Sequence, residues 1–552
     1  MRTVQEMVKL YDRHRGCGRV YAYGTAGFRS RAEVLAPVVF ATGLLACLRS
    51  LYLGGAYVGV MLTASHNPPE DNGVKLVDPH GEMLAAEWEK HATALANCAS
   101  QGQQELLDAL HMLVDRLGLD LALRARVVVA RDSRASGPQL LDALLDGTRM
   151  LEDVEVVDCG MLTTPQLHFL TCACNERGSA AGVREDLYYA HFVAALEELA
   201  ALHGLETLPF PLVVDTANGV GALKARELFR RSPLFKNRVS IINDNWSQHE
   251  LLNSGCGADY VKTKQCLPQG ISADLLRESL FCSYDGDADR VIFYYIDGQE
   301  RFHLLDGDKI STLIAKFLQS ALLTAGINDD VCLGVVQTAY ANGSSTRYLS
   351  EVLEVPVSCT PTGVKHLHRE AVQKYDVGIY FEANGHGTVI FSEHFTLTVE
   401  RALENPALSA KARLSLQTLK TFANLINQTI GDAIADMLAV IAILSILHWS
   451  PEDWDKQYTD LPNNLVKVVV PDRSMFKTTN AEQQLTSPAG LQELIDDIVM
   501  VYDSGRSFVR ASGTEDAVRI YAEAASQQQA DELATKVSTL VVESTNDPGI
   551  CN

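Results

Sequence analysis

Positive charge is in short supply. The chain has 47 Lys and Arg against 69 Asp and Glu, which gives a formal net charge of -22 at pH 7. A chain of this sign is repelled by nucleic acid and by anionic membrane surfaces, so neither is expected as a partner. An anionic small molecule remains compatible, provided that a local island of Arg, Lys, backbone N–H groups or metal receives it. Long apolar runs are also lacking. The longest, Met437 to Leu447, follows Asp432 and Asp436 and is too short to span a bilayer, so a buried helix is expected there. Cysteines are scattered: of the 12, only Cys172 and Cys174 are close in sequence, and none has the two-residue spacing of a zinc ribbon or a dithiol redox site. Met1 to Arg15 shows no secretory pattern, so reduced thiols and a cytoplasmic location are expected.

At 552 residues the chain is too long for one ordinary core, and three or four domains are expected. Three segments share one pattern of apolar strand, polar turn and helix. They are VVVARDSRASGPQLLDAL from Val127, LVVDTANGVGALKARELF from Leu212 and LGVVQTAYANGSSTRYLSEVL from Leu333, and β-rich runs follow from Val154, Val239 and Val355. Such alternation predicts α/β units with largely parallel pairing, and its repetition predicts three related domains. Four other places read as strand, polar loop, strand, beginning at Gly59, Leu280, Gly378 and Ser507. Loops between rigid strands present binding and catalytic groups, and four of them facing one cleft would make a composite site.

Each loop has its own chemistry. Asp285, Asp287 and Asp289 in DGDADR lie between two apolar strands. Residues two apart on a straight strand are roughly 6–7 Å apart, whereas the oxygens around one Mg²⁺ sit about 2.1 Å from it. The segment must therefore curl, which Gly286 and Ala288 make easy. A calcium EF-hand loop is excluded, because Arg290 takes its Gly position and Ile296 its Glu position. In TASHNP, Ser65 follows the apolar run Tyr57 to Leu62 and is either a nucleophile or a turn former; no G-x-S-x-G elbow surrounds it. His66 is a candidate proton carrier, and Lys75 reaches the serine if the loop doubles back. In RASGTEDAVR, Ser512, Gly513 and Thr514 offer hydroxyls and backbone N–H groups to an anion, flanked by Arg510 and Arg519. The loop EANGHG, from Glu382, offers a carboxylate, an amide and an imidazole suited to sugar hydroxyls.

Together, GTAGFR at Gly24 to Arg29, TASHNP at Thr63 to Pro68, DGDADR at Asp285 to Arg290 and RASGTED at Arg510 to Asp516 resemble the signature loops of the α-D-phosphohexomutase superfamily, in its order and over nearly the whole chain. The long form TASHNPPEDNGVKLVDPHGEML and the loop EANGHG resemble the branch that works on N-acetylglucosamine phosphates. The resemblance implies an α/β protein of four domains around a central cleft, three related mixed α/β domains and a smaller C-terminal α/β domain with an antiparallel sheet. The expected edges are 1–186, 187–303, 304–450 and 451–552.

By position, the resemblance makes Ser65 the phosphoryl carrier and has one Mg²⁺ per chain held by its phosphate oxygen, Asp285, Asp287 and Asp289. Arg290 and Arg29 would help to neutralise the transferring phosphate. Glu382, Ala383 and Asn384 would contact the sugar, and Arg510, Ser512, Gly513, Thr514 and Arg519 would grip the non-reacting phosphate. His66 and Lys75 are candidates for the base that takes the sugar hydroxyl proton. The implied reaction interconverts hexosamine 6- and 1-phosphates through a hexose 1,6-bisphosphate, which also serves as activator, and supplies UDP-N-acetylglucosamine synthesis. The sugar phosphate is the only partner it implies. Competing readings are a glucose- or mannose-directed mutase, a metal-dependent sugar phosphatase and a non-catalytic sensor. The sensor is disfavoured because Ser65 and all three Asp residues are present.

Overall fold

A computed structural model gives the fold, described for residues 2–16, 18–272, 275, 279–512 and 516–546. The chain divides into two compact units. One comprises Met1–Asp306, Asn384–Thr388 and Lys420–Pro451; the other comprises Gly307–Ala383, Val389–Leu419 and Glu452–Asn552.

The first unit holds two five-stranded sheets. In one, β1 (Phe28–Arg31), β2 (Tyr57–Leu62), β3 (Asp71–Val77), β4 (Ala125–Arg131) and β5 (Val154–Met161) lie in the order β1-β3-β2-β4-β5. Strands β2, β4 and β5 run parallel, whereas β2 and β3 form an antiparallel hairpin in which Met61 faces Lys75. β2 (YVGVML) is buried along its whole length, as an apolar run covered on both faces must be. Helix Ala36–Tyr52 packs on this sheet and crosses helix Gly137–Thr148 closely. A Cβ on Gly147 would lie 1.9 Å from the Phe40 carbonyl oxygen, so the contact requires glycine.

The other sheet contains β6 (Leu212–Asp215), β7 (Val239–Ile242), β8 (Leu280–Tyr284), β9 (Val291–Ile296) and β10 (Phe302–Leu305), in the order β10-β9-β8-β6-β7. Here β7, β6 and β8 are parallel, and β8, β9 and β10 are joined antiparallel. The apolar run expected as a buried helix is one: Ala433–Leu447, buried from Ala433 to Ser445 and capped by Asp432, which accepts from the N–H groups of Ile434 and Ala435.

In the second unit, β11 (Leu333–Thr338), β12 (Val357–Thr360), β13 (Val377–Phe381) and β14 (Gly387–Phe391) form a sheet in the order β12-β11-β13-β14. Its pairs β11–β12 and β11–β13 are parallel. The last sheet joins β15 (Asn463–Val469), β18 (Arg506–Ala511) and β19 (Ala517–Glu523) in the antiparallel order β15-β19-β18, beside a small ribbon of β16 (Lys477–Thr479) and β17 (Gln484–Ser487). Helices Leu491–Val499 and Gln527–Asn546 bring Leu491, Ile495, Leu533 and Val537 onto Val518 and Ile520 to form its core.

The three predicted repeats are the parallel pairs β4–β5, β6–β7 and β11–β12, each with its helix between. Spatially each pair lies beside a loop-bearing pair, giving β3-β2-β4-β5, β9-β8-β6-β7 and β14-β13-β11-β12. The first sheet takes its loop-bearing strands from before the parallel pair, and the other two take theirs from after it. A domain edge at 186 would cut helix Glu185–His203, and one at 303 would cut β10. Among the described residues no helix is long and apolar enough to cross a membrane.

Candidate functional site

In the first unit the β2–β3 loop meets the β8–β9 loop. Ser65 is fully buried with φ 53°, a left-handed conformation that costs energy for a residue with a Cβ and persists only where its surroundings over-determine it. Those surroundings are specific. The Ser65 N–H donates to Thr63 Oγ1 at 3.0 Å, and the Thr63 hydroxyl donates to Asp132 at 2.8 Å. Arg134, 1% exposed, spends its whole donor set here. Its Nε donates to Asp132 at 3.1 Å, Nη1 to the carbonyls of Pro68 and Asp71 at 2.6 and 2.8 Å, and Nη2 to those of Ser65 and Asn67, both at 2.9 Å. Asn253 donates to the same carbonyls of Ser65 and Asn67, at 2.9 and 3.0 Å.

The Ser65 hydroxyl donates to Asp285 Oδ2 at 2.5 Å. Gly286 makes this approach possible: a Cβ there would lie 2.6 Å from the Ser65 carbonyl oxygen. The curl expected of DGDADR is present, with Ala288 at φ 56° and Asp285 Oδ1 accepting from the N–H groups of Asp289 and Arg290 at 3.1 and 3.3 Å. Ligand oxygens of Asp285, Asp287 and Asp289 all lie within 4.8 Å of one another, and all three residues are buried. Asp287 Oδ1 is buried without a hydrogen-bond partner. Its other oxygen accepts from Thr164 Oγ1 at 2.6 Å. An all-oxygen donor set with a buried carboxylate oxygen left over fits a hard divalent cation.

Charge is crowded around the triad. Burial, reinforced by Asp289 and Asp287, pushes Asp285 well above the usual carboxylate range. Burial pushes Asp289 the same way, but Lys75, His386 and Arg290 overcome it and hold Asp289 well below that range. Arg290 Nε lies 3.9 Å from Asp285 and 3.7 Å from Asp289. Arg29 is drawn to the same place: burial and the nearby Arg290 lower its pKa, and the three aspartates oppose the shift. His66 Nδ1 lies 3.5 Å from Ser65 Oγ. Burial, with Arg290 and Arg29 beside it, lowers the His66 pKa to about 3, so its imidazole is neutral at pH 7.

Lys75, expected to reach the serine if its loop doubles back, lies at the metal loop. Its Nζ donates to Asp287 at 3.4 Å and Asp289 at 3.2 Å, because the hairpin register points it at the metal loop. His386, from EANGHG, is also brought to Asp289, its Nδ1 lying 2.7 Å from the Asp289 carbonyl oxygen. Asn384 Oδ1 accepts from the His386 N–H at 2.9 Å.

In the second unit, the Gly363 N–H donates to Glu382 Oε1 at 3.1 Å, and Ala383 follows Glu382. Arg510 and Arg519 are direct partners across β18–β19. Like charges so placed repel, an arrangement that an anion between them relieves. The Ser512 N–H donates to the Ala517 carbonyl at 2.8 Å. Gly513 and Thr514 lie outside the described residues. Residues that the motif reading did not single out are Arg134, Asp132, Thr164 and Asn253, and it gave the His386 imidazole to the sugar and not to Asp289. Asp132 and Arg134 stand in the first repeated segment, where Asp132 follows β4 much as the buried Asp215 ends β6.

Comparison with known proteins decides the family. The phosphoacetylglucosamine mutase of Saccharomyces cerevisiae is 54% identical over 532 residues, covering 94% of this chain and 95% of the yeast protein. The chain belongs to the phosphoacetylglucosamine mutase family. The Homo sapiens member is 48% identical, covering 95% of this chain and 94% of its own. Residues 178–292 and 306–449 match the profiles described as phosphoacetylglucosamine mutase AMG1, domains II and III. Residues 36–103 with 107–183 match the phosphoglucomutase/phosphomannomutase alpha/beta/alpha domain I, and residues 465–540 match the C-terminal domain of that family.

Solved structures of the mutase family agree. An N-acetylglucosamine-phosphate mutase of the α-D-phosphohexomutase superfamily, crystallised in its substrate complex, superposes with a TM-score of 0.92 at 48% identity, covering 98% of this chain and 100% of that one. The Aspergillus fumigatus N-acetylphosphoglucosamine mutase with GlcNAc-6P and magnesium gives 0.92 at 47% identity, covering 99% and 100%. A serine-to-alanine variant of the Aspergillus enzyme in complex with glucose 1,6-bisphosphate gives 0.90 at 47% identity, covering 98% and 99%.

Proposed function

We propose that this protein interconverts N-acetylglucosamine 6-phosphate and N-acetylglucosamine 1-phosphate, carrying the phosphoryl group on Ser65 and passing through the 1,6-bisphosphate. The observation that carries the reading is the Ser65 hydroxyl, held in a left-handed loop 2.5 Å from Asp285 at the edge of a buried aspartate triad. A hydroxyl so placed acts as acceptor and donor of a phosphoryl group whose charge is neutralised next to it. Asp285, Asp287 and Asp289, with a phosphate oxygen on Ser65, would hold one Mg²⁺ per chain. Bound there, the ion supplies charge neutralisation at the transferring phosphoryl oxygens.

The chain's own residues do the rest. Arg29 and Arg290 add positive charge at the transferring group. Lys75 fixes Asp287 and Asp289 in place through its two ion pairs. Of the two candidate bases His66 is the better, since it is neutral, lies beside Ser65 and gains proton affinity when a phosphate dianion sits on that residue. Glu382, Ala383 and Asn384 would contact the sugar. Arg510, Ser512, Gly513, Thr514 and Arg519 would hold the phosphate that is not reacting. After the first transfer Ser65 is free and the sugar carries two phosphates; once it has turned over, Ser65 takes back the other phosphate and leaves the isomer. A hexose 1,6-bisphosphate therefore also primes an unphosphorylated enzyme. The proposal includes a cytoplasmic setting, supported by the scattered cysteines, which among the described residues stand as free thiols.

Mass spectrometry of protein treated with a hexose 1,6-bisphosphate tests the carrier. Phosphate on the peptide containing Ser65, discharged by excess sugar monophosphate, is the expected result. Phosphate elsewhere, or none, removes Ser65 from the role.

A further inference from the structure

Glu482 has no part in the reading above, yet it is held in an unusual way. It closes the β16–β17 turn, where Asn480, Ala481 and Glu482 all have positive φ, at 49°, 53° and 68°. Three consecutive left-handed residues with side chains make a strained backbone, which persists only when surrounding contacts over-determine it. The contacts are made by the Glu482 carboxylate. Oε1 accepts from Arg510 Nε at 2.8 Å, and Oε2 accepts from both the N–H and the hydroxyl of Thr362, at 2.9 and 2.6 Å. The next residue, Gly363, donates its N–H to Glu382 at 3.1 Å. The pair is well shielded, with the Arg510 and Glu482 side chains 22% and 18% exposed. A continuous chain of bonds thus runs Arg510–Glu482–Thr362, then along one peptide to Gly363–Glu382.

We propose that Glu482 is a positioning residue that aims Arg510 at the substrate phosphate and couples the phosphate grip to the sugar-contacting Glu382. By engaging Nε it fixes the plane of the guanidinium, beside Tyr340, so that its fork is presented to a phosphate. By engaging Thr362 it sets the backbone that donates to Glu382, so a phosphate that tightens Arg510 also steadies the sugar contact. The inference rests on the proposed roles of Arg510 and Glu382.

The test is steady-state kinetics with N-acetylglucosamine 6-phosphate on wild type, Glu482→Ala, Glu482→Gln, Arg510→Ala and the double variant Glu482→Ala/Arg510→Ala. Melting curves establish that each variant is folded. Glu482→Ala is expected to raise KM about tenfold or more with kcat within about threefold of wild type, because binding geometry rather than chemistry is lost. The double variant is expected to fall well short of the product of the two single effects, since Glu482 acts chiefly through that arginine. Glu482→Gln, which keeps an acceptor for Arg510 but turns an N–H toward Thr362, should fall between wild type and Glu482→Ala. It also serves as the readout if Glu482→Ala does not fold. An unchanged or lower KM in the Glu482 variants, or full additivity with Arg510→Ala, overturns the proposal. Wild type that fails to convert the sugar overturns the mutase reading instead, so the two failures are distinguishable.

Discussion

Arg134→Lys is the substitution that most sharply separates charge from geometry in this site. Lysine keeps the positive charge opposite the buried Asp132, whose pKa burial raises and Arg134 opposes. It offers three donors where arginine offers five, and it has no planar fork. Arg134 serves four carbonyls and one carboxylate, so at least two acceptors lose a partner. The Ser65 and Asn67 carbonyls keep Asn253 and that of Pro68 keeps the Asp71 N–H, which leaves the Asp71 carbonyl as the one exposed to loss. Stranding that acceptor costs about 1–3 kcal/mol of the loop's local stability. Hydrogen–deuterium exchange reads that quantity directly. Amides protected by this loop should open roughly 5- to 150-fold more readily, at about 1.4 kcal/mol per tenfold. Misplacing Ser65 by about 1 Å should lower kcat by about a hundredfold. Wild-type exchange over residues 57–77 together with wild-type kcat would refute the argument that Arg134 holds the nucleophile.

The remaining predictions concern the metal, the buried acids and Lys75. Chelation with EDTA should abolish turnover, and Mg²⁺ should restore it and raise the melting temperature. Asp287→Asn should lose both the rescue and the shift, and a melting temperature indifferent to Mg²⁺ in wild type would count against the triad as a cation site. Asp432 is raised by burial to about 6 from an ordinary value of 3.8. A raised carboxyl favours the folded state below the unfolded pKa, so its contribution is present below about pH 4 and lost as pH rises to about 6. Asp432→Asn can keep the helix cap and should remove that slope from stability measured between about pH 4 and 6; an identical profile in the variant contradicts the shift. Lys75→Met strips Asp287 and Asp289 of their ammonium partner and should leave both carboxylates less firmly positioned. The expected result is a kcat lowered by about tenfold to a hundredfold, and unchanged kcat and Mg²⁺ requirement would remove Lys75 from the site.

Much of this was legible in the sequence because the decisive groups are local. Asp285, Asp287 and Asp289 sit in six consecutive residues, and Ser65 stands in an equally short loop after a buried strand. The alternating strand and helix patterns likewise announced the parallel pairs, since burial on both faces demands continuous apolar runs. What escaped was assembled from distant segments. Arg134 follows its carbonyl partners by 63 to 69 residues, and His386 is 97 residues beyond Asp289. No periodicity records such a closure. The hairpin that carries Lys75 is legible in the sequence, but its contacts with Asp287 and Asp289 are not, because the pairing register that turns it to them is a property of the sheet. The imidazole of EANGHG reads as a sugar ligand by composition, whereas in the fold it braces the metal loop.

The most direct test of the central claim is ³¹P NMR of the purified protein with Mg²⁺ and N-acetylglucosamine 6-phosphate, primed with a trace of hexose 1,6-bisphosphate, beside the Ser65→Ala variant. The account predicts a new anomeric phosphate signal from wild type, growing as the 6-phosphate signal falls, with nearly all conversion lost in the variant. Inorganic phosphate as the sole product, no conversion by wild type, or a near-normal rate in Ser65→Ala would contradict it.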